Sequence, residues 1–250
     1  MHNSILMAFS LYSRIPVPRP KWKEKNLRYC ICFLPLVGAV IGGVQGLAFY
    51  IMTKLPFGNV FRGSVLTALP LFLSGGIHMD GFLDTCDAVH SYKEQRDRLE
   101  ILKDPHVGAF AVLGGIVWTL LDFGVWSEAD SGTIVVLCLC FVLSRALSAL
   151  AALTFPKAKK SGMLHSETAS TARNAPAAMG IVVILTGFCM IVLRPVEGTA
   201  AMIAAFITLV YYRYMSEKMF GGITGDLSGW FTQMSELVMA CAIIVFGRIL

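Results

Sequence analysis

Long apolar runs separated by short polar segments constrain the fold of this chain more than any other feature. An α-helix needs about 20 predominantly apolar residues to cross the hydrocarbon core of a membrane. Of the 250 residues, 56% are hydrophobic and 15% are charged, whereas roughly 25% are charged in ordinary soluble domains. The runs predict about seven transmembrane helices, at residues 29–52, 61–77, 108–126, 133–155, 175–193, 199–212 and 227–246.

The predicted fold is therefore all-α, a polytopic integral membrane helical bundle, with residues 1–250 forming a single membrane-embedded domain. Two of the runs are irregular. The run 199–212 is short for a span, and the run 61–77 is interrupted by Pro70 and by the two consecutive glycines Gly75 and Gly76. Either of them is able to tilt, break or re-enter, so the expected number of spans varies by one.

The basic residues predict how the bundle is oriented. Lys and Arg in short loops are retained on the cytoplasmic side of a membrane. Most of the 21 basic residues fall in alternate polar segments, around residues 14–28, 93–103, 157–173 and 213–218. This pattern predicts a cytoplasmic N-terminus, with residues 1–28 as a cytoplasmic or re-entrant segment. The loops expected to share the cytoplasmic face and to form one active site are residues 75–107, 156–174 and 212–236.

The charge pattern argues against a nucleic-acid-binding protein, and the cysteine spacing argues against a zinc protein. The net charge of +5 is explained by this topology together with attraction to anionic lipid or substrate. No basic stripe is interleaved with aromatic residues, so we expect no nucleic-acid partner. The seven cysteines form no CxxC pair and show no zinc-ligand spacing. We expect the cysteines to be small core residues.

Three acidic residues identify the most informative polar segment. Asp80, Asp84 and Asp87 are spaced i, i+4 and i+7, so a helix places their carboxylates on one face, each within roughly 40° of Asp80. Such a group is stabilised by a divalent metal, by protonation or by nearby Lys and Arg. A metal explains the spacing best, and Mg²⁺ prefers hard carboxylate oxygens combined with substrate phosphates. The alternative is a solvated helix start. Gly81 is expected to let a ligand or metal approach the backbone.

Residues on either side of these acids are weaker candidates. His78 lies about 160° round the helix from the acidic face, and it either contacts substrate or is a boundary histidine with a local hydrogen bond. Lys103 and Asp104 open the segment KDPHVGAF, just before the next span. We expect Lys103 to bind phosphate and Asp104 to support the site or accept a proton.

The segment GGITGD, residues 221–226, carries a second set of candidates. Gly221 and Gly222 are expected to turn backbone N–H groups toward an anion, as phosphate-binding loops do. Asp226 and Glu236 then enter the last predicted span, and carboxylates in a membrane helix are functional candidates.

Two charged residues lie in other predicted spans. Arg145 is in the middle of the fourth predicted span and Asp122 is in the third. Both are functional candidates by the same rule, unless they pair with each other.

Five blocks of this sequence resemble the adenosylcobinamide-GDP ribazoletransferase family, also called cobalamin synthase. The resemblance extends along the whole chain, and the blocks at residues 75–88 and 221–236 are the most specific. The blocks are FSLYSRIPVP at residues 9–18, FLPLVGAVIGG at 33–43, GGIHMDGFLDTCDA at 75–88, RLEILKDPHVGAF at 98–110 and GGITGDLSGWFTQMSE at 221–236.

The resemblance implies a Mg²⁺-dependent enzyme of the prokaryotic cell membrane. Its substrates are adenosylcobinamide-GDP and α-ribazole or α-ribazole 5′-phosphate, and its products are adenosylcobalamin or its phosphate and GMP. The expected partners are these substrates and the lipid bilayer, with a homo-oligomer or an association with other cobalamin-pathway enzymes as alternatives.

With this resemblance, we assign expected roles to the candidate residues. The expected catalytic residues are Asp80, Asp84, Asp87, Lys103 and Asp104. The expected metal ligands are Asp80, Asp84 and Asp87, with Asp226 and Glu236 completing the metal shell or positioning the ribazole. The expected substrate-binding residues are Arg14, His78, Arg145, Gly221, Gly222, Thr224 and Gly225.

Two other functions use similar residues. A CDP-alcohol phosphotransferase has an Asp-rich helix of the form DGxxAR followed much later by GxxxDxxxD, whereas the acids here are compressed into DGxxDxxD. A secondary transporter would use intramembrane charged residues to line an ion path, but no inverted repeat is visible in this chain.

Overall fold

The computed structural model describes residues 1–158, 164, 168 and 171–249. Part of the predicted loop 156–174 therefore lies outside the described residues. The described chain is helical, and within it the only pairing of β type is an isolated bridge between Lys157 and Ile223. The helices are α1 (His2–Tyr12), α2 (Glu24–Leu27), a 3₁₀ turn (Ile31–Phe33), α3 (Leu34–Lys54), α4 (Asn59–Ser74), α5 (Ile77–His90), α6 (Gln95–Ile101), α7 (Ala109–Glu128), α8 (Ile134–Thr154), α9 (Ala175–Leu193), α10 (Pro195–Phe220) and α11 (Gly225–Ile249).

The predicted membrane bundle is confirmed. In the described part of the chain, six helices are long and apolar enough to cross a membrane, namely α3 with its preceding 3₁₀ turn, α7, α8, α9, α10 and α11. The pair α4 and α5 passes the same criterion when taken together, which gives up to seven spans. The prediction of about seven spans, with one able to break, agrees with this architecture.

The break lies between α4 and α5, whose axes meet at 97°. Gly75 and Gly76 both adopt positive φ angles, of 69° and 78°, which glycine reaches without the steric penalty of a Cβ atom. Pro70 does not end α4, although it cannot donate a hydrogen bond to the Leu66 carbonyl. The buried Gln45 of α3 donates from Nε2 to that oxygen at 2.6 Å instead. The bend therefore places the start of α5 at a sharp corner of the bundle.

One helix of the bundle is longer than the apolar run that predicts it. The short run 199–212 corresponds to α10, a helix of 26 residues. Charged side chains extend the helix beyond the apolar stretch at both ends, since Glu197 pairs with Arg194 and Glu217 accepts a hydrogen bond from Arg213 at 2.8 Å. Hydropathy therefore marks the apolar middle of this helix and not its ends.

The centre of the bundle is α8, in which 67% of the most apolar window is buried, against 22% in α9. Helices α3, α9 and α11 all pack against α8. Glycine allows the close contact with α3, because a Cβ atom at Gly38 would clash with the Phe141 carbonyl group. Helix α1 packs against α3, with Met7, Ala8 and Phe9 buried.

Candidate active site

The predicted helix through the three acidic residues is present as α5, and it brings a fourth acid into the group. Asp84 lies near enough to Asp80, Asp226 and Asp87 to experience the negative charge of each. Asp226 belongs to the first turn of α11, far away in sequence. Two helices thus contribute carboxylates to one place, next to the corner between α4 and α5.

Two glycines allow α5 and α11 to approach each other so closely. A Cβ atom at Gly81 would lie 2.6 Å from the backbone oxygen of Asp226, and one at Gly229 would lie 3.0 Å from the His78 carbonyl oxygen. The expectation that Gly81 leaves room for a ligand or metal is therefore wrong. The backbone of α11 occupies that space, and this contact positions Asp226 beside the acids of α5.

Gly81→Ala is expected to lower the free energy of unfolding by about 1–3 kcal/mol, because the new methyl group meets backbone atoms that cannot rotate away. The rate of the reaction proposed below should fall as well, since Asp226 moves with its helix. Unfolding of the purified protein in detergent measures the first effect. Gly124→Ala in α7 is the matched control, because a Cβ atom there has no neighbour within 4 Å. Equal stability of the two variants would contradict the assigned contact.

Asp87 has a structural partner that sequence spacing did not predict. Its two carboxylate oxygens accept hydrogen bonds from the backbone N–H groups of Gly108 at 2.6 Å and Ala111 at 2.9 Å. These amides belong to the first turn of α7, which has four N–H groups without intrahelical partners. Asp87 therefore caps α7 and ties it to α5, while a carboxylate with both oxygens engaged in this way is less available to a metal than Asp80.

A cavity of about 180 Å³ opens beside these acids. It lies between α1, the 3₁₀ turn, α3, α5, α8 and α11, and most of its wall is apolar. The polar side chains that line it are Tyr12, His78, Asp80, Ser148, Asp226 and Ser228. His78 is only 7% exposed, and its Nε2 atom has no hydrogen-bond partner among the described residues. The cavity thus combines mostly apolar walls with two carboxylates.

The glycines of the GGITGD segment end a helix, whereas the sequence predicted that they bind an anion. Gly221 and Gly222 have positive φ angles, and their N–H groups donate to the carbonyls of Glu217 and Ser216, at the end of α10. The N–H of Ile223 donates to the Pro156 carbonyl at 2.8 Å. These amides end one helix and fasten the segment to the loop after α8, so they are not turned toward an anion. The expected anion-binding role of Gly221 and Gly222 is wrong for this reason.

The anion-binding feature of this segment is the start of α11. Thr224 caps this helix, since its hydroxyl oxygen accepts a hydrogen bond from the N–H of Leu227 at 3.2 Å. Gly225 and Asp226 follow in the first turn and line the cavity. A helix N-terminus carries a partial positive charge, so α11 presents a favourable end for a phosphate group at the cavity.

The remaining loop candidates lie outside the lining of this cavity. Arg14 donates its backbone N–H to Leu73 at 2.8 Å and packs its side chain against Gly75, which places it at the corner before α5. Lys103 is exposed and forms an ion pair with Glu100 at 2.7 Å. Asp104 accepts hydrogen bonds from the backbone N–H and the imidazole of His106, and these lower the pKa of its carboxyl group.

A buried ion pair lies deeper in the bundle. The Arg145 guanidinium, 1% exposed, pairs with Glu236, whose carboxylate also accepts a hydrogen bond from Ser144 at 2.7 Å. The alternative pairing of Arg145 with Asp122 is wrong, because Glu236 occupies the position of the partner. Neither Arg145 nor Glu236 is among the residues that line the cavity beside Asp80.

The acids beside the cavity offer oxygen donors of the kind that Mg²⁺ prefers. Within the described ranges, no three side chains of His, Cys, Asp or Glu lie close enough together to hold one metal ion. Mg²⁺ is usually bound by one or two carboxylates together with substrate phosphates and waters, so a full protein cage is not required. Asp80 and Asp226 present two hard oxygen donors to one cavity. These residues fit a Mg²⁺ ion that is shared with a phosphate-bearing substrate.

Comparison with known proteins identifies the family of this chain. The curated relatives that it matches include several named adenosylcobinamide-GDP ribazoletransferase. The relative from Lachnoclostridium phytofermentans is 42% identical over 97% of this chain and 94% of its own length. The relative from Geobacillus kaustophilus is 34% identical over 95% and 93%, and one from Acinetobacter baumannii is 34% identical over 86% and 85%.

No solved structure matches the chain significantly. A family model described as cobalamin-5-phosphate synthase matches residues 4–244, which include every residue that lines the cavity. The chain therefore belongs to the cobalamin-5-phosphate synthase family.

Proposed function

We propose that this chain joins adenosylcobinamide-GDP to α-ribazole or α-ribazole 5′-phosphate, releasing GMP, in a Mg²⁺-dependent reaction. The observation that carries the proposal is the meeting of Asp80, Asp84 and Asp226 beside a cavity in a largely apolar bundle. Placing several carboxylates together in apolar surroundings costs free energy, so such a group is a functional-site candidate. The names of the relatives supply the substrates.

The reaction requires one bond to form and one to break. A ribose hydroxyl oxygen of the ribazole bonds to the phosphorus nearest cobinamide, and the bond from that phosphorus to the bridging oxygen breaks. GMP leaves with the bridging oxygen, and the hydroxyl proton passes to a carboxylate. Asp80 and Asp226 are the proposed acceptors, because both line the cavity and both are accessible from it.

The negative charge of the pyrophosphate needs compensation at the same place. Mg²⁺ bound by Asp80 and Asp226, with Asp84 nearby, would neutralise the phosphate oxygens and stabilise the departing GMP. The N-terminus of α11 would hold a phosphate group, and Arg14 at the corner before α5 would add positive charge. Lys103 is proposed to bind phosphate. Asp104 is proposed to support the site or to accept a proton.

We place this site on the cytoplasmic side of a prokaryotic cell membrane. The support is the concentration of Lys and Arg in the segments that adjoin it. The contact of Ile223 with Pro156 and the hydrogen bond from Gln95 to Phe220 join parts of three of these segments. A cytoplasmic site would receive its nucleotide substrate directly.

Purified protein in detergent, supplied with both substrates, should release GMP when Mg²⁺ is present and stop when EDTA removes it. GMP is measured by chromatography. Release that is unaffected by EDTA would reject the metal, and no release from folded protein would reject the reaction. Turnover in detergent also separates an enzyme from a transporter, because transport requires two sealed compartments. Release of CMP from a CDP-alcohol would instead support that class of phosphotransferase.

A further inference from the structure

We infer that α10 carries a binding site for one anionic phospholipid of the surrounding bilayer, at the place where the apolar stretch of this helix stops. The site consists of two apolar grooves for the acyl chains and of Arg213, which binds the phosphate of the headgroup. The grooves share no lining residue with the cavity beside Asp80 and Asp226. The lipid site is thus independent of the proposed reaction.

A ridge of three exposed side chains separates the two grooves. Phe206, Val210 and Tyr214 follow one another at intervals of four residues, so they lie along one face of α10. All three line both grooves, which have volumes of about 490 and 360 Å³. The grooves therefore run side by side along the same length of helix.

The two grooves lie on opposite sides of this ridge. Leu209 lines the larger groove together with Phe155, the residue that follows α8. Ile207 and Tyr211 line the smaller one, and their positions in the helix are on the other side of the ridge from Leu209. A phospholipid has two acyl chains on one headgroup, so a pair of apolar grooves that flank a single ridge matches its shape.

The length of the grooves corresponds to one leaflet of the membrane. Phe206 and Tyr214 are eight residues apart, which is about 12 Å along a helix axis, whereas half of the hydrocarbon core is about 15 Å thick. The apolar run of this helix ends at Tyr212, so the grooves begin at the membrane boundary and reach toward its middle. A second copy of the chain fits less well, because a spanning helix would run along the whole of α10.

Arg213 supplies positive charge at this boundary. Its side chain lines the larger groove, is 58% exposed, and has Cζ 5.3 Å from the ring centroid of Phe155. Its Nε donates to Glu217 at 2.8 Å, a contact that does not use the two Nη groups, and a guanidinium binds phosphate through parallel N–H groups of this kind. The exposed Lys218, which donates to the Tyr214 hydroxyl at 2.7 Å, makes the net charge of this group positive. Basic side chains at a membrane boundary attract anionic lipids.

A lipid in these grooves contacts two parts of the chain that lead to the acids of the cavity. Phe155 directly precedes Pro156, whose carbonyl accepts a hydrogen bond from the N–H of Ile223 at 2.8 Å. Ile223 lies just before α11, which carries Asp226 in its first turn. An acyl chain between Phe155 and α10 therefore supports the segment that positions Asp226.

The test measures the affinity for the first bound lipid by native mass spectrometry of the full chain in detergent. Wild-type protein should bind dioleoyl phosphatidylglycerol about tenfold more tightly than dioleoyl phosphatidylcholine, whose headgroup has no net charge. Arg213→Gln should weaken phosphatidylglycerol binding about tenfold, as expected for loss of hydrogen bonds to a charged group. Arg248→Gln is the matched control and should keep the wild-type affinity, because Arg248 is 59% exposed and pairs with Glu128 but lines neither groove.

A second pair of variants tests the grooves without changing a charge. Val210 lines both grooves, so Val210→Trp narrows them and should weaken phosphatidylglycerol binding to a similar extent. Val192→Trp is its control, because Val192 is an exposed residue of α9 that lines neither groove.

Two results would overturn the lipid site. One is an equal effect of Arg213→Gln and Arg248→Gln, which would show general attraction between charges. The other is a wild-type dimer that Val210→Trp converts to a monomer without changing lipid affinity, which would assign the ridge to a second copy of the chain. Both readouts are independent of turnover, so a protein that binds phosphatidylglycerol as expected but releases no GMP would reject only the proposed function.

Discussion

Asp80→Asn should reduce the rate of GMP release by about a hundredfold to ten-thousandfold, the range expected when a group that exchanges a proton with the substrate is removed. The change keeps the size of the side chain and removes its charge and basicity. Asp80 is exposed at the start of α5 and lines the cavity, so its loss should leave folding intact. Initial rates at saturating Mg²⁺ and both substrates measure the effect.

Asp226→Asn should have an effect of similar size, and the double variant should be far less impaired than the product of the two single effects. Residues that act as one unit lose most of their function when either is changed. Asp97→Asn is the control, because Asp97 is an exposed carboxylate in the first turn of α6 and does not line the cavity. If Asp80→Asn and Asp97→Asn have equal rates within about threefold, the acids of the cavity do not take part in the reaction.

The sequence predicted the fold because lipid imposes a simple rule on composition. Each span must be apolar over its length, so the runs are visible without any knowledge of packing. The break in the second run was also visible, since Gly75 and Gly76 interrupt an apolar stretch. The length of α10 was not visible, because its charged ends leave the apolar run while the backbone hydrogen bonds continue.

The candidate site was predictable only where it depends on a single helix. Spacing along α5 placed Asp80 and Asp84 on one face. The position of Asp226 beside them depends on the contact between Gly81 and α11, and no local pattern reports such a contact. Asp87 shares the spacing of its neighbours, yet it caps α7, because the start of that helix lies against α5.

The glycines of the GGITGD segment show the same limit. Their sequence allows positive φ angles, but it does not say which acceptor their N–H groups reach. In the structure those acceptors are the last carbonyls of α10, since the helix ends there and its carbonyls need partners. The capping threonine, Thr224, is the signal in this segment that indicates a helix N-terminus at the cavity.

Arg145→Met should lower the free energy of unfolding by about 3–5 kcal/mol, because it leaves the Glu236 carboxylate buried in the bundle without its partner. Glu236→Gln should be destabilising by a similar amount, since the guanidinium then lacks a counter-charge. The double variant should be less destabilised than the sum of the two single variants, because neither residue then leaves a buried charge without its partner. Unfolding in mixed detergent micelles, analysed as a double-mutant cycle, gives the coupling between the two residues.

The same cycle tests the metal-binding role that the sequence suggested for Glu236. A residue that only pairs with Arg145 leaves the Mg²⁺ dependence of GMP release unchanged in the double variant, because Asp80 and Asp226 remain in place. A metal ligand would behave differently. Its loss would raise the Mg²⁺ concentration needed for half-maximal rate about tenfold or more, as expected from the loss of a side chain that supports metal binding. The ion pair would be rejected if the destabilising effects of the two single variants simply add in the double variant. If the Mg²⁺ concentration for half-maximal rate also rises, Glu236 is a metal ligand.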